Sequence, residues 1–382
     1  MGDDTGIISI GESLGNERTR TCRMDHEFFL EKFPGGGLLR PLPIHHPADS
    51  IRDSFILEYE KLRGAFAETR EFSYLCFVVN SRTRSVQAKV LRLEPGVFYD
   101  LIVGRHSQCG LVLREDWTVS LRQALVRLYL RPADLVPVFK ILDLATETSL
   151  ITVEGEKTNG LVGAGHCMLT VGEYHLYLVY NNDEALPEKP EEAWEALQPK
   201  EPLQRREDAF RAFDDVVSPD QVKLRSRQET EDAPTRNEHR TFSGTASLLR
   251  VLGPSFLEDP AVPSGPGVAV ASLLLKCERT GLVHLVAVQG AQLRRGLLLG
   301  RYNRCGVGGT GLALPDLVSR VHLILLEDEG AYWAIDAAST NGCLVSTVPF
   351  STRRLDGSTK ILLGGEVTVE WIPASGADSA GA

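Results

Sequence analysis

Four short pieces near the C-terminal end of this 382-residue chain carry groups that can hold an oxyanion: Gly300-Arg301, Ser319-Arg320-Val321-His322, Asp336, and Ser339-Thr340-Asn341-Gly342. A guanidinium offers two parallel N–H donors to phosphate oxygens, and small hydroxyls, an amide and backbone N–H groups can take the rest. That is the equipment of a site that grips a phosphate without cutting it.

The elements that must position these groups read as strands. Residues 282–288, 296–300, 321–326, 331–336, 343–345 and 361–363 are short apolar runs, and 366–371 alternates. Gly, Asp, Pro or Ser punctuates them about every ten residues, with no long helical period between, which is the pattern of a β-sandwich or barrel. The chemistry-bearing residues fall at strand ends or in turns, where a rigid scaffold usually presents its binding groups.

The order Gly-Arg, then Ser-x-x-His, then Thr-Asn-Gly resembles the forkhead-associated (FHA) domain over roughly residues 268–373. The resemblance implies a β-sandwich that binds phosphothreonine peptides. Arg301 would then be the principal phosphate ligand, Ser319 would donate its hydroxyl to another phosphate oxygen, and Thr340 would touch the phosphate or the peptide. Asn341 would fix the peptide backbone. Arg320 is either a second cation or a surface charge, and both readings stay open. His322 is assigned to bracing a loop, Gly300 and Gly342 to tight turns, and Trp333 and Trp371 to the core or its edge.

An altered copy of the unit precedes it. Val103-Gly104-Arg105-His106-Ser107-Gln108-Cys109-Gly110 parallels Leu299-Gly300-Arg301-Tyr302-Asn303-Arg304-Cys305-Gly306, and Val119-Ser120-Leu121-Arg122-Gln123 parallels Val318-Ser319-Arg320-Val321-His322. Ile141-Leu142-Asp143-Leu144-Ala145-Thr146 parallels Ala334-Ile335-Asp336-Ala337-Ala338-Ser339. Gln123 stands in place of the histidine, and Glu147-Thr148 in place of Thr-Asn, where a carboxylate would repel a phosphate dianion. Arg105 and Ser120 can still hold an anion weakly. Lys157-Thr158-Asn159-Gly160 comes about eleven residues too late and is read as coincidence. The first sandwich is therefore expected to be structural, or a docking surface independent of phosphorylation.

The expected organisation is a flexible segment over 1–47, an amphipathic helix over 48–71, a degenerate FHA-like sandwich over 72–180, an acidic linker over 181–266, an FHA domain over 267–373 and a flexible tail over 374–382. The helix follows from Ile51, Phe55, Tyr59, Leu62 and Phe66 at three- and four-residue spacing after a capping Asp49-Ser50. Residues 181–240 hold 16 acidic and 10 basic residues, a self-repelling composition, with a short helix expected around Phe210, Phe213 and Val217. The fold class is thus mainly β, two FHA-like sandwiches joined by an acidic, partly helical linker. Thr230, Thr235 and Thr241 in that linker are either ordinary polar residues or, once phosphorylated, a route to self-association.

Other chemistries are excluded by context. A net charge of −10 disfavours nucleic acid or an anionic membrane as partner. No apolar stretch is long enough to span a bilayer and no basic-then-apolar leader opens the chain, so a soluble cytoplasmic protein is expected. Seven scattered cysteines without Cys-x-x-Cys read as reduced thiols. Gly306-Val307-Gly308-Gly309-Thr310-Gly311 has the spacing of a dinucleotide fingerprint but lacks a following helix, so a flexible loop is expected. Gly11-Glu12-Ser13-Leu14-Gly15 imitates a hydrolase elbow without a supporting His or α/β alternation. His45-His46 lacks a third metal ligand. The expectation is a non-enzymatic adaptor in Ser/Thr-kinase signalling, without cofactor or metal, whose partners are threonine-phosphorylated proteins and a Ser/Thr kinase; the alternative is a phosphorylation-independent structural scaffold.

Overall fold

The computed structural model describes residues 49–146, 148–198, 201–202, 248–252, 269–302, 304–308 and 314–374, and they are mainly β. The first helix, α1 (Ile51–Ala67), begins where Ser50 can cap it: its Oγ accepts the Asp53 N–H at 3.0 Å. Its Ile51, Phe55, Tyr59, Leu62 and Phe66 face is buried.

The first unit runs β1 (Ser73–Asn80), β2 (Val86–Arg92), β3 (Tyr99–Gly104), β4 (Leu111–Val112), β5 (Ala124–Leu130) and β6 (Pro137–Asp143). It continues through β7 (Leu150–Thr152), β8 (Lys157–Thr158), β9 (Gly160–Ala164), β10 (Cys167–Val171) and β11 (Tyr174–Asn181). After α2 (Pro190–Leu197) come β12 (Glu201–Pro202) and β13 (Leu248–Leu252). The second unit has β14 (Ala269–Cys277), β15 (Leu282–Gln289), α3 (Gly290–Arg294), β16 (Leu297–Gly300), β17 (Val307–Gly308) and β18 (Leu323–Asp328). It ends with β19 (Ala331–Asp336), β20 (Cys343–Val345), β21 (Val348–Phe350), β22 (Thr352–Arg354), β23 (Thr359–Leu363) and β24 (Val367–Pro373).

Strand order makes the duplication explicit. The first unit has sheets β2-β1-β11-β10-β7-β8 and β12-β13-β9-β6-β5-β3-β4; the second has β15-β14-β24-β23-β20-β21 and β17-β16-β18-β19-β22. Each strand from β1 to β11 finds its equivalent thirteen strands later, and among the described residues only β12 and β13 are additions. In both units the two sheets close on a shared core, Cys76, Val78, Val126, Phe139, Ile141 and Leu178 in one, and Leu273, Leu275, Leu299, Leu323, Ile361 and Trp371 in the other.

Two departures from expectation concern the supposed linker and the glycine-rich loop. Part of 181–266 belongs to the first unit: α2 buries Ala193, Trp194 and Leu197 against α1 and the outer face of β1 and β11, and β13 pairs with β9. Pro190 at the helix start and Glu191 and Glu192 in its first turn are good helix-opening residues. Val307 and Gly308 form β17, parallel to β16, with Val307 buried, rather than lying in a flexible loop. Residues 309–313 lie outside the described residues, as do the expected helix near Phe210, the linker threonines, Gly11–Gly15 and His45-His46.

The sheets carrying β3, β5 and β6 and β16, β18 and β19 pack back to back through a third apolar layer: Ile102, Leu125 and Leu142 against Leu298, Ile324, Leu326 and Ile335. Into this layer the fold sinks Arg127, which is 0% exposed. Its Nε and Nη2 donate to Asp100 at 2.8 Å each, and Nη1 to Asp328 of the second sandwich at 3.2 Å. Lys140 lies 3.5 Å from Asp328, so two cations face two carboxylates. The rings of Phe98 and Trp333, 4.5 Å apart, pack beside the guanidinium at 4.7 and 5.2 Å. Burial opposes its charge, but Asp100 and Asp328 outweigh that and raise its pKa above the ordinary value. Thr352 donates across the junction to Asp100 at 2.8 Å, and Tyr129 to Glu329 at 2.8 Å. The six described cysteines are all buried free thiols. No helix among the described residues is long and apolar enough to cross a membrane.

Removing Arg127 strands two buried carboxylates, so Arg127→Met should lower the unfolding free energy in urea by about 3–5 kcal/mol, whereas Tyr129→Phe should cost only about 1 kcal/mol. Acid should also weaken the first sandwich. Burial pushes His166 and His175 down to about 4, so between pH 6.5 and 4 the unfolded chain takes up protons that the folded chain refuses. Each histidine's stability is complete above 6.5 and declines on acidification by up to about 1.4 kcal/mol per pH unit. Asp143, pushed up by burial to about 6, works in the opposite sense over part of that window and offsets one of the two. The thermal midpoint should therefore be lower at pH 5 than at pH 7.

Candidate phosphate-binding rim

Three loops meet at one end of the second sandwich: 301–306 after β16, 314–322 before β18, and 337–342 between β19 and β20. The first two are laced by backbone bonds, Arg301 N–H to the Ser319 carbonyl at 3.2 Å and Tyr302 N–H to the Arg320 carbonyl at 2.8 Å. That lacing dictates Gly300: a Cβ there would sit 2.1 Å from the Arg320 carbonyl oxygen, so no side chain fits.

Arg301 is anchored at one end and presented at the other. Its Nε donates to the Val318 carbonyl at 2.5 Å and Nη1 pairs with Asp316 at 2.8 Å, while about a third of the side chain (35%) stays exposed. An incoming phosphate would compete with the Asp316 carboxylate for the fork. Sequence reasoning missed Asp316; an acid three residues before the Ser-x-x-His piece was the available signal.

His322 ties the second loop to the third. It is fully buried; Nδ1 accepts the Ser319 N–H at 2.8 Å, and Nε2 donates to the Gly342 carbonyl at 3.0 Å. Because a carbonyl can only accept, the Nε2–H tautomer follows. Burial lowers the His322 pKa, and the Arg122 guanidinium adds to this against the opposing pull of Gly342 and Asp336, which protects the Nδ1 lone pair. Ser319 adds a second tie, its Oγ accepting the Thr340 N–H at 3.0 Å. At 7% exposed, Ser319 serves first as a brace, with its own proton still available to donate. Asp336 shapes the third loop by accepting the Ser339 N–H at 2.6 Å, the Ser339 hydroxyl at 3.1 Å and the Cys343 N–H at 3.1 Å. Gly342, at φ +77°, turns the chain into β20.

The outer side of this frame carries the ligand-type groups. Thr340, Asn341 and Arg320 are exposed. Asn341 Nδ2 donates to the Leu317 carbonyl at 2.8 Å, which fixes its amide beside the Arg301 loop. Arg301, Ser319, Thr340 and Asn341 thus all engage the same 316–319 stretch, and Arg320 belongs to the adjoining turn. Trp371 is in the core and Trp333 half-buried against Arg127.

The first copy repeats the frame. Gln123 substitutes for the histidine: its Oε1 accepts the Ser120 N–H at 3.0 Å and its Nε2 donates to the Thr148 carbonyl at 2.5 Å. Arg105 Nε bonds the Val119 carbonyl as Arg301 bonds Val318. Cys109 and Cys305 each donate to the corresponding carbonyl, Leu121 or Arg320, at 3.3 Å. The Thr148 hydroxyl donates to the Thr118 carbonyl at 2.7 Å, as Asn341 donates to the Leu317 carbonyl, and Glu147 lies outside the described residues. Thr158 of the Lys-Thr-Asn-Gly string is buried, bonded to the Gly160 carbonyl at 2.7 Å, and offers nothing to a rim.

Since an amide can mimic both nitrogens of this histidine, His322→Gln should keep stability within about 1 kcal/mol of wild type. His322→Ala, which orphans the buried Ser319 N–H, should cost about 1–3 kcal/mol by thermal or urea unfolding.

No family model and no curated protein matches the sequence. Solved structures do. FHA-1 of the Mycobacterium tuberculosis protein Rv1747 is 23% identical over 27% of this chain and 99% of its own, with a TM-score of 0.21. The FHA domain of the Chlamydia trachomatis protein CT664 is 22% identical over 28% of this chain and 98% of its own, at 0.22. A third, from a structural and functional analysis of phosphothreonine-dependent FHA domain interactions, is 24% identical over 26% of this chain and 95% of its own, at 0.20. Each likeness spans about one sandwich. The Gly-Arg, Ser-x-x-His and Thr-Asn-Gly pieces, whose order resembles the FHA pattern, are gathered on one rim of a two-sheet sandwich.

Proposed function

We propose that the chain is a non-enzymatic adaptor that captures threonine-phosphorylated proteins laid down by a Ser/Thr kinase, using the rim of the second sandwich. The observation that carries this reading is the anchored but partly exposed Arg301 fork, flanked by the exposed Thr340, Asn341 and Arg320 on loops that His322 and Ser319 hold together. In this reading Arg301 takes two phosphate oxygens, releasing Asp316. The Ser319 hydroxyl and Thr340 take others, Arg320 adds positive charge, and Asn341 holds the peptide backbone. Gly300, His322 and Gly342 set the loops. The ligand class agrees with the phosphothreonine dependence stated for one similar FHA domain. Affinity should be on the order of micromolar, because one phosphate and a few backbone bonds must offset ordering of the peptide.

A phosphorylation-independent scaffold is the second reading. It is favoured by the first sandwich, which has Leu121 in the place of Arg320 and Glu147 in the place of Thr340. Titrating the full chain with one peptide library in phosphothreonine and threonine forms separates the two. Binding should require the phosphate. Arg301→Ala and Arg301→Lys should each weaken it at least about tenfold while the thermal midpoint stays near wild type, since an ammonium cannot replace the fork. Equal binding of both peptide forms would favour the scaffold, and wild-type affinity in either variant would refute the Arg301 assignment.

A further inference from the structure

We infer that Arg122, a residue of the first sandwich, is a positioning residue for the rim of the second, so that the two sandwiches form one recognition unit. The inference rests on the phosphothreonine reading of the rim and deepens it.

Arg122 leaves the turn before β5 and is 6% exposed. Its Nε donates to the carbonyls of Ala337 at 2.6 Å and Ala338 at 3.0 Å, and its Nη2 to Ala338 at 2.6 Å. The same Nη2 stands 3.5 Å from Ser319 Oγ, the atom that accepts the Thr340 N–H. One guanidinium therefore holds both ends of the loop pair that presents Ser319, Thr340 and Asn341. The loop needs holding, because Ala338 has φ +52°, a left-handed conformation unfavourable for alanine. The formal charges facing Arg122 are Arg320 and Asp336, both parts of the rim.

The brace is not a remnant of the duplication. The position equivalent to Arg122 in the second sandwich is Val321, which packs in the apolar layer between the sandwiches. The reverse contact comes from a different position. Arg304 Nη1 donates to the carbonyls of Thr146 at 3.0 Å and Ala145 at 3.4 Å, and Ala145 also has a left-handed φ, +56°. Each sandwich thus lends a guanidinium to the same strained turn of the other. Only the turn held by Arg122 leads into ligand-type groups. With Nε and Nη2 committed to the Ala337 and Ala338 carbonyls and the residue only 6% exposed, Arg122 acts through Ser319 and the 337–342 loop, and through a buried positive charge behind them.

The test uses the full chain and a phosphothreonine peptide selected from a library on wild type. Arg122→Met should weaken binding roughly tenfold, the loss expected when a charge-assisted brace is removed, and Arg122→Lys should fall between the two. The pKa of the bound phosphate, read by 31P resonance, should be higher in Arg122→Met than in Arg122→Lys or wild type, because a nearby cation favours the dianion. Tyr129→Phe is the control. It breaks the bond to Glu329 in the turn of the β18–β19 hairpin, at the opposite end of β18 from the rim, and should leave peptide binding unchanged. Arg122→Met binding within twofold of wild type, or Tyr129→Phe weakening it equally, would overturn the inference. If Arg122→Met does not fold, Arg122→Lys decides: weaker binding supports the brace, and wild-type binding refutes it. A wild-type chain that binds no phosphothreonine peptide would instead fail the functional reading itself.

Discussion

One fully buried guanidinium, Arg127, is shared by Asp100 of one sandwich and Asp328 of the other, and the placement of the two sandwiches follows from it. A charge at 0% exposure is tolerable only if its partners are fixed and the surrounding layer is closed. Satisfying it requires β3, β5 and β6 to face β16, β18 and β19 at one register, and the apolar layer of Ile102, Leu125, Ile324 and Ile335 then seals the junction. Once that register is set, the turn before β5 comes to lie against the turn after β19, which is where Arg122 meets Ala337 and Ala338.

The two copies show what duplication retained and what it released. Both keep a glycine next to an arginine, an arginine Nε on the backbone, a buried side chain accepting the serine N–H, and an aspartate organising the following turn. These features hold loops in place and make a rim possible. The copies differ in what stands outside that frame. The second leaves Thr340, Asn341 and Arg320 exposed, whereas the first has Leu121 where the second has Arg320 and a partly buried Thr148 where the second has Asn341. Gln123 and His322 satisfy the same N–H by different chemistry, so losing the histidine did not dismantle the turn.

Much of this could be read from the chain alone, because rim groups cluster in short motifs and strands end at Gly, Asp or Pro. The amphipathic face of α1 and the parallels around Arg105 and Arg301 were legible for the same reason. What was illegible was long-range. Arg127 lies within the run Ala124-Leu125-Val126-Arg127-Leu128-Tyr129-Leu130, which marks it as buried, yet nothing local names Asp100 or Asp328. The continuous runs at Leu297-Leu298-Leu299 and Leu323-Ile324-Leu325-Leu326 did hold a clue. An antiparallel strand with one wet face should alternate, so an unbroken apolar run indicates two buried faces and hence a partner behind the sheet. Helix α2 was obscured by its own acidic opening, and Asp316 by the weak meaning of a lone surface acid.

The most direct measurement is a backbone amide titration of the full chain by NMR with a phosphothreonine peptide. Shifts confined to Arg301, Ser319, Thr340, Asn341 and their immediate neighbours, absent with the unphosphorylated peptide, are the expected result. Shifts of equal size with both peptides, or a footprint on the outer sheet of either sandwich with a silent rim, would contradict it.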